Sequence, residues 1–101
     1  FIKVSNKKKI KDLSDYASSH YLVTGGNIML HVDNTKIKLK KGDALWMSSF
    51  KQHGFSGEGS LIKISNGESL STSDLSEILN IYNLNITLKR SYKDKVSWGY
   101  D

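Results

Sequence analysis

The sequence contains no cysteine and no proline among its 101 residues. The absence of cysteine excludes disulfide bonds and thiolate metal sites, and it leaves the redox compartment undetermined. Long apolar runs are also missing, since none approaches the roughly 18 residues that a membrane-spanning helix needs. There is no secretory signal pattern. We therefore expect a cytoplasmic protein without a membrane partner, and because Phe1 is not methionine we expect part of a longer chain.

Arginine is scarce although the chain is basic. The net charge is +5, and Arg90 is the only arginine. Proteins that read nucleic acids favour arginine for bidentate contacts to phosphate and guanine, so no nucleic-acid partner is predicted. Lys36, Lys38 and Lys40 alternate with less polar residues, as on one face of a strand. This alternation has two interpretations, a solvated strand face or a surface that attracts phosphate.

Short β-prone segments separated by turn signals make up most of the chain. Turns are predicted at Gly25-Gly26, Asp33-Asn34, Lys41 to Asp43, and Gly57 to Gly59. The strands predicted between and around them cover residues 1–4, 10–13, 20–24, 27–32, 35–39, 44–47, 53–55 and 60–65. Strands spaced in this way by turns are typical of an all-β sandwich or barrel.

The hydrophobic period changes to that of a helix near the carboxyl end. An apolar stripe with spacing i, i+3, i+4 and i+7 predicts a helix over residues 74–83, capped by Ser73 or Asp74, with Glu77 completing a capping box. Extended segments are predicted at 86–92 and 96–100. We expect a β-barrel over residues 1–70, with residues 71–101 packed on it in the same domain.

One stretch resembles a known family. The segment GDALWMSSFKQHGF, from Gly42 to Phe55, is similar to the second conserved motif of the cupin superfamily. The preceding VTGGNIMLHVDNTKIKLKKGD resembles the hairpin that leads into that motif, although Ser48-Ser49 stands where cupins usually carry proline. The resemblance implies a mainly β fold, the cupin double-stranded β-helix, which is a jelly-roll barrel, here with one C-terminal helix.

The cupin resemblance also implies a metal site inside the barrel. It assigns His53 as the ligand from the second motif, and it places an acidic or amide ligand near Ser19 and a histidine near Asp15 or Ser14, although none of these three residues is a histidine. A shifted site would use His20 and His53, with or without Asp15, but a shift of one residue points a strand side chain to the opposite face. A facial Fe(II) site needs three nitrogen or oxygen ligands. No catalytic residue is assigned.

Within the superfamily the chain most resembles the 2-hydroxyethylphosphonate dioxygenase and methylphosphonate synthase group of non-haem iron oxygenases. That resemblance implies Fe(II), dioxygen and a small hydroxylated phosphonate for the whole enzyme. Lys51 and Gln52, on the loop before His53, and Trp46 are the candidate substrate contacts. The alternative is a metal-free cupin module for small-molecule binding or dimerisation. By analogy, a homo-oligomer or a second cupin unit is an expected partner.

Overall fold

The computed structural model describes residues 2–5, 10–13, 18–65, 70–93 and 98–99, and it is mainly β with one helix. The strands form one sheet that is antiparallel except for the parallel β5–β7 pair, and its strand path is not closed across the described residues. This architecture confirms the predicted fold class and is consistent with a jelly-roll unit. The elements are β1 Ile2–Val4, β2 Ile10–Leu13, β3 Ser19–Val32, β4 Thr35–Lys40, β5 Asp43–Met47, β6 His53–Ser65, α1 Thr72–Ile81, β7 Arg90–Lys93 and β8 Trp98–Gly99.

Two long strands, β3 and β6, run the length of the molecule as an antiparallel pair. The first part of β3 also pairs with β5, and the last part pairs with β4. On its other side β6 pairs with β1 and β2. Every other strand except β7 and β8 is therefore bonded directly to this central ladder.

The predicted turns at Gly25-Gly26 and Gly57 to Gly59 are wrong, because both stretches lie inside continuous strands. Gly26 pairs with Gly59, and the ladder register shifts between Val23 and Gly25. Gly26 has φ +78° and Gly57 has φ +93°. Glycine permits a bulge or sharp bend within a strand as well as a turn between strands. Because Gly26 faces Gly59 in the ladder, β3 and β6 bend at the same place.

The other two predicted turns are present. Asp33 and Asn34 have φ of 50° and 59° and connect β3 to β4, as in a two-residue hairpin of type I′. At the next turn Gly42 has φ +94°, and the backbone N–H of Lys40 donates to Oδ2 of Asp43 at 2.8 Å. Asp43 thus stabilises its own turn.

The helix begins two residues earlier than predicted, and the predicted caps are wrong. Ser71 is the N-cap, and its hydroxyl accepts from the backbone N–H of Asp74, whose carboxylate accepts from the N–H of Ser71. The sequence offers two overlapping patterns with capping-box spacing, and the one that starts at Ser71 forms. Among the described residues no helix is long and apolar enough to cross a membrane.

The carboxyl-terminal segment differs in part from the prediction. Strand β7 begins at Arg90, and residues 84–89 lead to it without regular structure. The N–H of Lys89 donates to the carbonyl of Gly42 at 2.8 Å and so ties this segment to the β4–β5 turn. The predicted strand at 96–100 is present only at Trp98–Gly99, and its other residues lie outside the described part of the chain, as do Phe1 and residues 14–17.

Apolar side chains form two clusters on opposite sides of the bent sheet. The smaller cluster lies under α1, where Leu75 and Leu79 pack on Leu22, Ala44 and Ile62. The larger cluster fills the inside of the β unit and consists of Val4, Tyr21, Val23, Ile28, Leu30, Val32, Ile37, Leu39, Leu45, Met47, Phe55 and Leu61. In the second half of β3 and in β4, buried residues of this cluster alternate with more exposed ones, as expected of strands with one face packed inside.

Candidate functional site

His53 is the first residue of β6 and points into the larger apolar cluster. Its ring is 6% exposed and lies against two aromatic rings, those of Tyr21 and Phe55. The ring centroids of His53 and Tyr21 are 5.3 Å apart, those of His53 and Phe55 5.8 Å, and those of Tyr21 and Phe55 4.9 Å, all edge to face. His53 is therefore a polar group in a closely packed aromatic surrounding.

Both ring nitrogens of His53 have hydrogen-bond partners. Nδ1 lies 2.8 Å from the backbone carbonyl oxygen of Lys51, and Nε2 lies 2.7 Å from the hydroxyl of Tyr21. A carbonyl oxygen only accepts, so Nδ1 carries the proton. In the neutral ring Nε2 is then an acceptor, and the hydroxyl of Tyr21 donates to it.

A metal-binding histidine requires an orienting hydrogen bond at one ring nitrogen and a free lone pair at the other, and His53 has only the first of these. A ligating histidine commonly donates its second ring N–H to a carbonyl, which fixes the ring orientation, and Nδ1 of His53 does so. The lone pair of Nε2, which would bind the metal, instead accepts from Tyr21. Within the described ranges no three His, Cys, Asp or Glu side chains are grouped as a metal site would need. The residues there do not fit Fe(II).

His20 lies on the opposite face of β3 from this aromatic group. It is 3% exposed, and its Nε2 accepts from the backbone N–H of Leu70 at 2.9 Å, just before α1. The next residue, Tyr21, points to His53, and neighbouring strand residues point to opposite faces. The structure therefore does not bring His20 and His53 together. Asp15, the third residue of the shifted site, lies outside the described residues.

The predicted substrate contacts are also separated. The Nζ of Lys51 forms an ion pair with Oδ1 of Asp33 at 2.6 Å, and Gln52 is exposed. Trp46 stands opposite His20 in the β3–β5 ladder and so shares the face of His20 rather than that of His53. The indole Nε1 of Trp46 is buried without a hydrogen-bond partner among the described residues. A role of these three residues in substrate binding stays a prediction.

Sequence reasoning missed the partner of His53 and the contact of His31. Tyr21 was recognisable only as the centre of a strand, because its meeting with His53 depends on how β3 and β6 pair. His31, which alternation places towards solvent or the barrel edge, is half-buried, and its Nε2 lies 2.6 Å from the hydroxyl of Ser56. The alternation of residues within one strand does not predict the register in which two strands pair, and these two contacts depend on that register.

Comparisons with known proteins give one informative similarity. No family model matches the chain, and no solved structure matches it. The 2-hydroxyethylphosphonate dioxygenase of Streptomyces viridochromogenes is 31% identical over 105 residues, an alignment that covers 100% of this chain and 24% of that protein. The chain thus spans about a quarter of the dioxygenase, and over that span its sequence indicates relatedness to that protein's family.

Proposed function

We propose that this chain is a cupin-type unit of a non-haem Fe(II)-dependent oxygenase that acts on a small hydroxylated phosphonate, as methylphosphonate synthase-like enzymes do. The similarity to 2-hydroxyethylphosphonate dioxygenase over the whole chain and the mainly β fold support this assignment. We further propose that the described residues contribute scaffold to such an enzyme. Its iron-dependent oxidation would then rely on ligands other than those described.

One observation carries the scaffold role, namely the hydrogen bond between Tyr21 and Nε2 of His53. A metal at Nε2 would have to displace the hydroxyl of Tyr21, which is 0% exposed and enclosed by Phe55 and the rest of the larger cluster. The displaced hydroxyl would lose its partner in a buried apolar place, which costs about 1–3 kcal/mol. A single histidine nitrogen does not supply the three ligands that would compensate for this cost.

The experiment is anaerobic loading with Fe(II), followed by removal of free metal and measurement of bound iron per chain. We expect no stoichiometric iron in the protein, in His53→Ala or in Tyr21→Phe. The Tyr21→Phe variant is the stricter case, because it releases the lone pair of Nε2 without removing the imidazole. Stoichiometric iron that disappears in His53→Ala would contradict the scaffold role and would place a complete metal site in this chain.

One observation favours a second function, namely the indole N–H of Trp46, which is buried without a hydrogen-bond partner among the described residues. A metal-free cupin module that binds a small molecule or a second unit would place a hydrogen-bond acceptor against this buried N–H. Titration of 2-hydroxyethylphosphonate with the tryptophan fluorescence as signal tests this alternative. Saturable quenching that is lost in Trp46→Phe supports it, and concentration-independent fluorescence in both proteins contradicts it. Light scattering of the same samples measures whether the chain dimerises.

A further inference from the structure

Among the described residues, the outer face of the sheet is covered at one end and open at the other. Helix α1 covers the end that contains Leu22, Ala44 and Ile62. The other end, formed by the second half of β3, by β4 and by the first half of β6, contains a surface depression of ≈ 590 Å³. A depression of this size is in the range of sites for small molecules.

Three lysines of β4 line this depression. Lys36, Lys38 and Lys40 are all exposed and alternate with the buried Ile37 and Leu39. Their Cα atoms follow at about 6.7 Å intervals, twice the rise per residue of a strand, so adjacent ammonium groups can reach one ligand. No ion pair joins these three lysines to another described residue, in contrast to the Lys51–Asp33 pair. The positive charge of the row is thus available to a ligand.

Polar groups from the neighbouring strands complete the lining. His31 lies opposite Lys36, and Met29 lies opposite Lys38 in the β3–β4 ladder. The hydrogen bond of 2.6 Å between Nε2 of His31 and the hydroxyl of Ser56 joins β3 to β6 across the floor. A row of cations beside an imidazole and a hydroxyl suits a ligand that is anionic and accepts several hydrogen bonds.

The described acidic residues nearby only partly offset the charge of this row, and one of them, Asp43, lies at its end, where Oδ2 accepts from the backbone N–H of Lys40 at 2.8 Å. Glu58 projects from β6 opposite Asn27 and is separated from β4 by β3. Asp33 is paired with Lys51 at the hairpin end. The local field at the depression is therefore positive, and a concave positive surface raises the local concentration of anions.

We infer that this depression, lined by Lys36, Lys38, Lys40, His31 and Ser56, binds a small tetrahedral oxyanion of the phosphonate or phosphate type. The concave shape favours a small anion over an acidic protein surface. The choice of a phosphonate as one ligand rests on the proposed function, whereas the site itself lies on the outer face of the sheet. Failure of anion binding here is therefore distinguishable from the outcome of the iron-loading test, which concerns His53 inside the β unit.

The test is a titration of the isotope-labelled protein followed by amide NMR at constant ionic strength, with inorganic phosphate in one arm and 2-hydroxyethylphosphonate in the other. We expect saturable shifts confined to residues 27–31, 36–40 and 56–57. Lys38→Gln should weaken the affinity about two- to fivefold, as expected for loss of one exposed charge pair. The triple variant that combines Lys36→Gln, Lys38→Gln and Lys40→Gln should lose saturable binding. The arm with the tighter affinity identifies the ligand source.

The control is Lys3→Gln, which removes one exposed positive charge from β1 at the far edge of β6. This variant should bind both anions as the unchanged protein does. If Lys3→Gln and Lys38→Gln weaken the affinity for the anions equally, the effect depends only on the net charge of the protein, and the inference is overturned. Shifts that never saturate, or binding of an acidic polypeptide without binding of either small anion, would overturn it as well.

Discussion

Inside the β unit, the position of the proton on the His53 ring and the hydroxyl of Tyr21 together determine whether a ring nitrogen of His53 is free to bind a ligand. The carbonyl of Lys51 fixes the proton on Nδ1, and Tyr21 then uses the remaining lone pair of the ring. The hydrogen bond between Tyr21 and this buried histidine, whose two ring nitrogens both have partners, connects β3 to β6. At the scale of single residues, the structure therefore favours a stabilising role for the histidine that the sequence pattern presents as a ligand.

Replacement of Tyr21 by phenylalanine should destabilise the protein by about 1–3 kcal/mol, because Nε2 of His53 is left as a buried acceptor without this donor. Urea unfolding measures the change. The matched control is Tyr82→Phe, since the side chain of Tyr82 is 59% exposed and loss of its hydroxyl should change the stability by less than about 0.5 kcal/mol. Equal stability of the two variants would contradict the buried hydrogen bond.

The sequence identifies His53 but not its chemical state. Its place after a short loop and before Gly54-Phe55 is a local signal, so the residue could be singled out from the chain alone. The distance to Tyr21 spans 32 positions and depends on the register of two bent strands. Whether the lone pair of Nε2 is engaged is therefore a property of strand pairing.

At the scale of elements, three glycines determine the shape of the central ladder, namely Gly26, Gly57 and Gly59. A Cβ atom on Gly26 would lie 2.2 Å from the carbonyl oxygen of Glu58, and one on Gly59 would lie 2.4 Å from the carbonyl oxygen of Gly25. These distances are far shorter than van der Waals contact, and the contacted atoms belong to the backbone of the partner strand. Strands β3 and β6 can approach each other at the bend only because these positions lack side chains.

Gly26→Ala should cost at least about 2 kcal/mol, because it combines a positive φ with a backbone overlap. Gly25→Ala is the matched control, since its Cβ would meet only the hydroxyl of Ser60 at 3.4 Å. We expect that control to remain within about 1 kcal/mol of the unchanged protein. Thermal or urea unfolding compares the two variants, and a Gly26→Ala protein as stable as Gly25→Ala would contradict the bent-strand arrangement.

The capping box of α1 makes a second prediction at this scale. Ser71→Ala removes the acceptor for the N–H of Asp74 and should destabilise the protein by about 1 kcal/mol. Ser73→Ala, two residues further on at an exposed position in the helix, should be neutral or slightly stabilising, because alanine has the higher helix propensity. The two variants are compared by urea unfolding. A larger loss in Ser73→Ala would restore the cap position that the sequence pattern indicated.

The elements show where local signals suffice and where they fail. The Asp33-Asn34 hairpin was predictable because its residue types favour the left-handed region that a two-residue turn requires. The Gly25-Gly26 pair also favours positive φ and so predicts a turn by the same reasoning. It lies instead at an irregularity within a continuous strand, because β3 pairs with β6 on both sides of it. The helix was predictable from its apolar stripe, whereas the choice between overlapping caps was not.

At the scale of the whole molecule, the sheet divides the protein into an inside and an outside with different properties. The inside contains the larger apolar cluster and the Tyr21–His53 pair. The outside is covered by α1 at one end and carries the lysine-lined depression at the other. The alternation of lysines in β4 was readable from sequence, but the depression they line requires β3, β4 and β6 together.

Packing of α1 on the outer face can be measured by truncation of a buried residue. Leu79→Ala should cost about 2–5 kcal/mol, because the leucine is 1% exposed within the smaller cluster. Ile81→Ala, at a helix position that is 70% exposed, should change the stability by less than about 0.5 kcal/mol. A single unfolding transition for both variants is expected of a helix that folds with the sheet. A separate early transition of Leu79→Ala would contradict joint folding.

We propose that Nε2 of His53 is engaged by Tyr21 and therefore does not bind a metal. Long-range ¹H–¹⁵N NMR of the histidine rings tests it most directly, with His53→Ala to assign the signals and Zn(II) as a diamagnetic substitute for Fe(II). We expect a neutral ring protonated on Nδ1, with both nitrogen signals unchanged after one equivalent of Zn(II). A ring protonated on Nε2, or an Nε2 signal that moves stoichiometrically with added metal, would contradict it.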